Sequence, residues 1–178
     1  AYIDIIHSED TTWLDGGYPA LSIKAKEHLD LTIVVSRYLK NWMTSRGGDD
    51  RRIEVSYVNV DSSFWAADDV VRNKTRSELH IRGTLPVILY PARLSIEKQP
   101  MVFARVMRKL KKEGFEFLAV VAGDGDERTW LEWYIRVHRL SSVIKMLGNI
   151  PPSKMKEIMN ACDILFLPSQ REGISLAI

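Results

Sequence analysis

The last sixteen residues combine the pattern of a buried strand with side chains that could bind a ligand. An apolar run, residues 164–167, follows Asp163 and stops at Pro168, and its length is typical of a buried parallel strand. Glu172 and Gly173 come next, before small and apolar residues that could open a helix. A carboxylate and free backbone N–H groups would then lie at the carboxyl end of a strand, where open α/β sheets bind ligands.

Two cations, Arg93 and Lys98, follow a predicted strand over residues 86–90. We expect Arg93 on a loop and Lys98 in the first turn of a helix over 96–112. Cations at this helix end oppose the helix dipole unless an anion lies between them. Taken alone, they are better explained as solvated surface cations. Together with the Glu172 loop at a nearby strand end, they favour a diphosphate site.

Gly123, Asp124, Gly125 and Asp126 follow a predicted strand over 116–121. The two glycines permit close approach of the backbone to a ligand. The two aspartates form an Asp-x-Asp pattern, which can hold a divalent metal. A turn between strand and helix, with Asp126 near the helix cap, is the favoured interpretation, because Asp-x-Asp alone is weak evidence for a metal.

A short glycine loop follows the predicted strand over 143–147. Leu147, Gly148 and Ile150 could present backbone groups to a planar base, and an ordinary loop ended by proline before a helix explains the same residues. The sequence leaves both interpretations open.

His7 ends the first predicted strand, where its side chain could point into a cleft, although a lone histidine is more often structural. The single cysteine, Cys162, excludes an internal disulfide. We interpret it as an inert core thiol, which fits a reducing compartment. The basic residues over 105–112 could touch anionic lipid, but packing of the apolar face on the sheet and solvation of the charges explain this helix better.

Composition indicates an ordinary globular protein. The chain has 178 residues, of which 46% are hydrophobic and 27% charged, and its net charge of +2 gives no indication of nucleic-acid binding. It has no apolar run of membrane-spanning length and no visible signal peptide. The chain starts at Ala1 and enters a strand-like run at once, so we expect a fragment of a longer protein.

Apolar strand patterns alternate with amphipathic helix patterns along the chain. The alternation predicts an α/β fold, a Rossmann-like parallel sheet with helices on both faces, preceded by the tail of a second Rossmann-like domain. A glycine-rich stretch at 47–50 is the best linker signal, which places the domains at 1–50 and 51–178. Strands are predicted at 2–6, 31–36, 53–58, 86–90, 116–121, 143–147 and 164–167, and helices at 37–45 (capped by Ser36), 67–80, 96–112, 127–138 and 154–160.

Several stretches together resemble the retaining family 4 glycosyltransferases, whose two Rossmann-like domains form the GT-B architecture. Each motif alone is weak, but their order is specific. The family's Glu-x7-Glu pair has its first member at Glu172, and its second would fall two positions beyond Ile178. The matching stretches are Val-Ser-x-x-Leu at 35–39, Val-Asn-Val-Asp at 58–61, which is similar to the family's Asn-Gly-Val-Asp without its glycine, Arg-Leu-x-x-x-Lys at 93–98 after Ala92, Gly-x-Gly at 123–125, and Asp-apolar-Pro-Ser-x-x-Glu-Gly at 163–173.

The resemblance implies a role for each candidate residue. Glu172 would bind hydroxyls of the donor sugar, and Arg93 and Lys98 the diphosphate. His7 resembles the family's acceptor-domain histidine near the transferred sugar. Backbone groups of the donor site would come from Gly123, Gly125, Leu147, Gly148, Ile150, Gly173, Ile174, Ser175 and Leu176.

The implied reaction is transfer of a sugar, with retention, from a nucleotide-diphosphate sugar such as a UDP- or GDP-sugar. The acceptor would be a hydroxyl of a sugar, a glycan or a lipid-linked molecule, and no metal or other cofactor is expected. The resemblance also implies a cytoplasmic location, with peripheral contact at the inner membrane face as a further expectation, and no activity of this chain alone. Two alternatives stay open: a metal-dependent transferase using Asp124 and Asp126, and a nucleotide-binding or scaffold domain without catalysis.

Overall fold

The computed structural model describes residues 1–7, 16–57 and 59–170. It divides the chain into two compact units, Ala1–Val60 and Asp61–Gln170, each with its own parallel sheet. No helix in the described ranges is long and apolar enough to cross a membrane.

The first unit is a three-stranded parallel sheet with two helices, in the strand order β1-β2-β3. The fully buried Val34 and Met43 join β2 to α2 in its core. A 3-10 turn, Asp50–Arg52, leads into β3. The elements are β1 Ile3–Ile6, α1 Gly17–Lys24, β2 Leu31–Val34, α2 Arg37–Thr44 and β3 Ile53–Val55.

The helix α2 begins where its sequence signal predicts. The Ser36 hydroxyl accepts a hydrogen bond from the Leu39 N–H at 3.2 Å, which satisfies one donor of the first turn. The helix α1 has no counterpart in the predicted elements. Its Gly17 start and internal Pro19 are poor helix signals, and it is formed because its inner side packs in the unit.

The glycine pair Gly47 and Gly48 closes a turn inside the first unit. Both N–H groups bond back to the end of α2, to the carbonyls of Thr44 and Met43. The strand β3 then pairs in parallel with β2, with Thr32 opposite Ile53. The boundary expected at residue 50 therefore separates β3 from the sheet that it joins, and the compact units divide after Val60.

The second unit is a four-stranded parallel sheet in the order β6-β5-β4-β7. A 3-10 turn, Ile96–Lys98, follows β4. The elements are α3 Asp69–Glu78, β4 Val87–Tyr90, α4 Pro100–Lys112, β5 Leu118–Ala122, α5 Arg128–Val137, β6 Ile144–Gly148, α6 Pro152–Ala161 and β7 Ile164–Leu165.

Two hydrophobic clusters cover the two faces of this sheet. Alternate residues of β4 point to opposite faces, so Tyr90 packs with Phe103 of α4 while Leu89 packs in the cluster of Ile158 from α6. Leu131 brings α5 to the first face. The predicted α/β fold, a Rossmann-like sheet with helices on both faces, is confirmed.

Two local expectations were wrong. The helix predicted over 96–112 is interrupted at Gln99, which has left-handed backbone angles (φ 56°, ψ 49°), and α4 starts anew at Pro100, because proline has no N–H to continue a helix from the preceding turn. The strand after Asp163 was expected to be buried, but within the part of the chain that the structure describes its side chains are exposed. It lies at the edge of the sheet, with Ile164 51% and Leu165 37% exposed.

Candidate functional site

Loops at the carboxyl ends of three strands surround one open depression in the second unit. Its volume is about 600 Å³, and Met155 of α6 lies at one side. It lies where parallel α/β sheets bind ligands. The loop after β4 contributes Pro91, Ala92 and Arg93, the loop after β5 follows Ala122 with Gly123 and Asp124, and the loop after β6 contributes Asn149 and Ile150.

Backbone hydrogen bonds lock the three loops together. The Leu94 N–H donates to the Asp124 carbonyl at 2.9 Å, and the Leu94 carbonyl accepts from the Glu127 N–H at 2.9 Å. The Gly123 N–H donates to the Gly148 carbonyl at 2.8 Å. The floor of the depression is therefore held by main-chain contacts that do not depend on a bound ligand.

Gly123 and Gly125 let the loop after β5 lie directly on the loop after β4. A Cβ at Gly123 would lie 1.9 Å from the Ala92 carbonyl oxygen, and a Cβ at Gly125 would lie 2.5 Å from the Leu94 carbonyl oxygen. Neither space admits a methyl group. We expected the glycines to allow a ligand to approach the backbone. In the structure, the groups that approach them are the carbonyls of Ala92 and Leu94, on either side of Arg93.

Arg93 lies on the depression, and Lys98 does not line it. The Arg93 side chain is exposed. Lys98 lies in the 3-10 turn instead of the first turn of the long helix, and its carbonyl accepts a hydrogen bond from the Tyr90 hydroxyl at 2.9 Å. At the start of α4, the N–H groups of Val102 and Phe103 both bond to the Gln99 carbonyl, so these two donors are already used.

The side chain of Asp124 is engaged within its own turn. Its carboxylate accepts from the Gly125 N–H at 2.8 Å and pairs with Arg128 at 2.6 Å, and these contacts hold the pKa of Asp124 below its usual value. Arg128 also bonds Glu132 at 2.8 Å. Asp126 is exposed. The described residues contain no group of three or more His, Cys, Asp or Glu side chains that could hold a metal ion.

The glycine loop after β6 divides between the depression and the core. Ile150 lines the depression. Leu147 is half-buried against the cluster of Leu89. Gly148 has a φ of 72°, and its carbonyl accepts a hydrogen bond from the Gly123 N–H. Of the three residues predicted in this loop, Ile150 lines the depression, and Leu147 and Gly148 do not.

The remaining predicted site residues lie elsewhere. His7 follows β1 in the first unit and is exposed. Cys162 is half-buried, and burial raises the pKa of its thiol to about 12, with a further contribution from the nearby Asp163 charge, so it is an unreactive thiol. Outside the described residues lie Glu172, Gly173, Ile174, Ser175 and Leu176.

An arginine network around the buried Arg76, which the sequence analysis missed, holds the chain where it enters β7. Arg76 of α3 is 7% exposed, and its guanidinium donates to the carbonyls of Ala161, Gly83 and Leu85. It also pairs with Asp163 at 3.3 Å. The signal in the sequence was the spacing of two arginines four residues apart, at 72 and 76, which places both on one side of a helix.

Asp163 is the common acceptor of this network. Arg72 pairs with one carboxylate oxygen, while the Val87 N–H donates to the other at 2.8 Å. Burial raises the pKa of Asp163, but these hydrogen bonds and the two guanidinium charges outweigh burial and hold the pKa below its usual value. The network ties α3, α6, β4 and β7 together at the amino ends of the two strands.

Comparison with known proteins identifies the family. The sequence model of the family glycosyl transferases group 1 matches residues 71–178, more than half of the chain. The chain belongs to the glycosyl transferases group 1. This group 1 chain is 30% identical over 130 residues to the 2-deoxystreptamine glucosyltransferase of Streptomyces kanamyceticus, covering 72% of this chain and 33% of that protein. It is 26% identical over 155 residues to the putative colanic acid biosynthesis glycosyltransferase WcaL of Escherichia coli, covering 84% and 36%.

Solved structures show the same fold. Anabaena Alr3699/HepE, crystallised with UDP, has a TM-score of 0.82 at 19% identity, covering 99% of this chain and 49% of that one. The pneumococcal O-GlcNAc transferase GtfA, crystallised with UDP and GlcNAc, has a TM-score of 0.76 at 16% identity, covering 99% and 35%. The expectation of a group 1, GT-B-type α/β fold is confirmed. The chain spans about a third to a half of the length of these proteins.

Proposed function

We propose that the protein containing this chain transfers a sugar from a nucleotide-diphosphate sugar to an acceptor hydroxyl, with retention and without a metal. The observation that carries the proposal is the depression at the carboxyl ends of β4, β5 and β6, with Arg93 on it, in a chain of the glycosyl transferases group 1. Its volume of about 600 Å³ falls within the usual range for small-molecule sites.

The reaction needs positive charge at the leaving group. As the nucleoside diphosphate departs, negative charge builds on its phosphate oxygens, and a guanidinium on a rigid loop stabilises that charge without reorganising. We assign this role to Arg93, assisted by Lys98. Because Asp124 is held by Gly125 and Arg128, it is an unsuitable metal ligand. This favours stabilisation of the phosphate charge by Arg93 and Lys98.

The nucleoside would lie at the apolar side of the depression. Ile150 and Met155 line it there, and Asn149 adds an amide beside them. Apolar walls with a few polar groups are typical of sites for planar ligands. UDP in the solved structures of related fold favours a uridine or similar nucleoside, and we propose a UDP- or GDP-sugar as donor.

Residues outside the depression complete the proposal through the family resemblance. Glu172 would orient the donor sugar, and backbone groups from Gly173 to Leu176 would bind beside it. His7 would act near the transferred sugar. The acceptor would be a sugar, glycan or lipid-linked hydroxyl. The single cysteine favours a location in the reducing cytoplasm. The family resemblance adds peripheral contact at the inner membrane face.

A transfer assay tests the function. The longer protein that contains this chain is incubated with labelled UDP- and GDP-sugars, a panel of acceptors and excess chelator. We expect a transfer product whose anomeric configuration equals that of the donor, at a rate unchanged by the chelator. Product that requires added manganese or magnesium would favour the Asp124 and Asp126 alternative. Nucleotide binding with no product from any donor would favour the binding-domain alternative.

A further inference from the structure

The second unit carries an outward face that the transfer reaction does not explain. It consists of an apolar strip on α5 and a basic depression at the C-terminal ends of α4 and α5. We call these together the α4–α5 face. Both helices return from the carboxyl ends of the strands, so this depression lies at the opposite edge of the sheet from the candidate site.

The apolar strip is formed by Trp130, Trp133 and Val137. Spacings of three and four residues place them on one side of α5, along about 10 Å of helix. They are 62%, 52% and 52% exposed, and the two indole rings pack edge to face with centroids 6.1 Å apart. Core packing does not explain the strip, because the buried side of α5 is formed by Leu131, Tyr134 and Ile135.

The basic depression joins the strip at Val137. It has a volume of about 440 Å³, and no acidic residue is among the described residues that line it. The Lys111 ammonium bonds the Arg139 carbonyl at 2.6 Å and braces one wall. The cations that line it are Arg108, Lys111, Lys112 and Arg139.

The surrounding charge is strongly one-sided. Residues 105–116 and 133–139 hold seven arginines and lysines against two glutamates, a local charge of +5, whereas the whole chain has +2. One of those glutamates, Glu113, is already paired with Lys109. Burial and the charges of Arg108 and Lys112 lower the pKa of His138, so its imidazole does not enter this count at neutral pH.

We propose that the α4–α5 face docks on an anionic membrane surface, an inference that assigns a surface to the peripheral membrane contact of the proposed function. Trp130 and Trp133 enter the headgroup region, where indole rings are favoured because one end is apolar and the other bears an N–H donor. The basic residues contact lipid phosphates. A single-stranded nucleic acid also stacks on aromatics and binds cations, but the net charge of +2 and the confinement of the basic residues to one end of the strip favour a lipid surface. Docking in this way leaves the opposite edge of the sheet, with the candidate site, open.

Vesicle co-sedimentation of the 178-residue chain tests the proposal. We expect binding to vesicles of phosphatidylglycerol and phosphatidylcholine, none to phosphatidylcholine alone, and weakening with added salt. The double variant Arg108→Gln with Lys112→Gln should partition at least roughly tenfold more weakly. Trp130→Ser with Trp133→Ser should also weaken partitioning and abolish the blue shift of indole fluorescence on binding.

A matched control separates this face from total charge. Lys74→Gln with Arg82→Gln removes the same charge from exposed positions of α3 and the turn after it, and should leave partitioning unchanged. Circular dichroism of every variant checks folding. The proposal is overturned if the unsubstituted chain ignores anionic vesicles, if the control loses as much binding as the Arg108 and Lys112 variant, or if a single-stranded oligonucleotide is bound while vesicles are not.

Discussion

Arg93 owes its position to its neighbours on either side. The Ala92 carbonyl lies where Gly123 has no side chain, and Leu94 is bonded through both its N–H and its carbonyl to the next loop. The exposed guanidinium therefore extends from a loop whose backbone is fixed on both sides. A cation held in this way loses less conformational freedom on binding an anion than one on a free loop.

Replacing Arg93 tests the phosphate role. We expect Arg93→Ala to weaken binding of UDP or GDP by about 1.5–3 kcal/mol, because a charge-assisted hydrogen bond is lost. Titration calorimetry measures the change. Arg105→Ala, an exposed cation on α4, is the control and should leave affinity unaltered. If Arg93→Ala and Lys98→Ala both bind as tightly as the unsubstituted chain, neither residue holds the diphosphate.

Gly123 allows a test of the loop contact itself. A methyl group there meets the Ala92 carbonyl oxygen, a backbone atom that cannot rotate away, so Gly123→Ala should lower the free energy of unfolding by about 1–3 kcal/mol beyond the cost of its backbone angles. Gly114→Ala is the matched control. That glycine has a φ of 84° and no atom within 4 Å of the added Cβ. Equal losses of stability, measured by denaturant unfolding, would contradict the packing role.

At the scale of elements, one buried guanidinium joins four of them. Arg76 bonds the C-terminal end of α6 through Ala161 and the approach to β4 through Leu85, and it shares Asp163 with Arg72. Asp163 directly precedes β7, so the joint fixes the start of that strand. The entry of the chain into β7 is therefore held by side chains of α3.

Removal of the buried guanidinium should be costly. Arg76→Met keeps most of the volume but leaves buried carbonyls without a donor and Asp163 with one guanidinium fewer. We expect the free energy of unfolding to fall by about 3–5 kcal/mol, measured by chemical denaturation. Arg82→Met, an exposed arginine of the following turn, should change it by no more than about 0.5 kcal/mol. A loss for Arg76→Met as small as that of the control would show that water replaces its bonds.

The same network predicts a pH dependence. Because the pKa of Asp163 is lowered in the folded chain from its ordinary 3.8, the carboxylate contributes stability above that value, and the contribution is lost as the pH falls through the folded pKa. Asp163→Asn should therefore reduce stability at neutral pH and flatten its decrease in acid. Denaturant unfolding across this pH range measures both. Parallel curves for the two proteins would contradict the assignment.

At the scale of the whole molecule, each of the two units contains one small parallel sheet among the described residues, and the chain spans only about a third to a half of the length of its relatives. Sugar transfer requires donor and acceptor to be held together in one geometry, which supplies much of the barrier reduction. We expect the depression to bind a nucleotide by itself, and we expect transfer to need further groups of the longer protein.

We therefore expect binding without turnover from this chain alone. Incubation with labelled sugar nucleotides and mixed acceptors should yield no transfer product, while calorimetry detects weak binding of a nucleoside diphosphate that Arg93→Ala reduces. The longer protein is the positive control under the same conditions. Robust transfer by the 178-residue chain would contradict the expectation that part of the transfer site lies in the longer protein.

Local patterns in the sequence determined the alternation of strands and helices, the Ser36 cap, and the loops after β4, β5 and β6 as the places where a ligand would bind. These features depend on neighbouring residues or on the two periodicities of strand and helix. The placement of Arg93, Gly123 and Ile150 on one depression also follows the general rule for parallel sheets.

Tertiary structure decided the features that depend on distant partners. The strand β3 joins the first sheet by pairing with β2, although the whole of α2 separates the two strands in the sequence. The close contact of Gly123 is the Ala92 carbonyl, about thirty residues earlier in the chain, and Arg76 finds Asp163 eighty-seven residues later. Strand pairing and buried polar bonds are chosen by which groups folding brings together, and a pattern read along the chain contains no information on that choice.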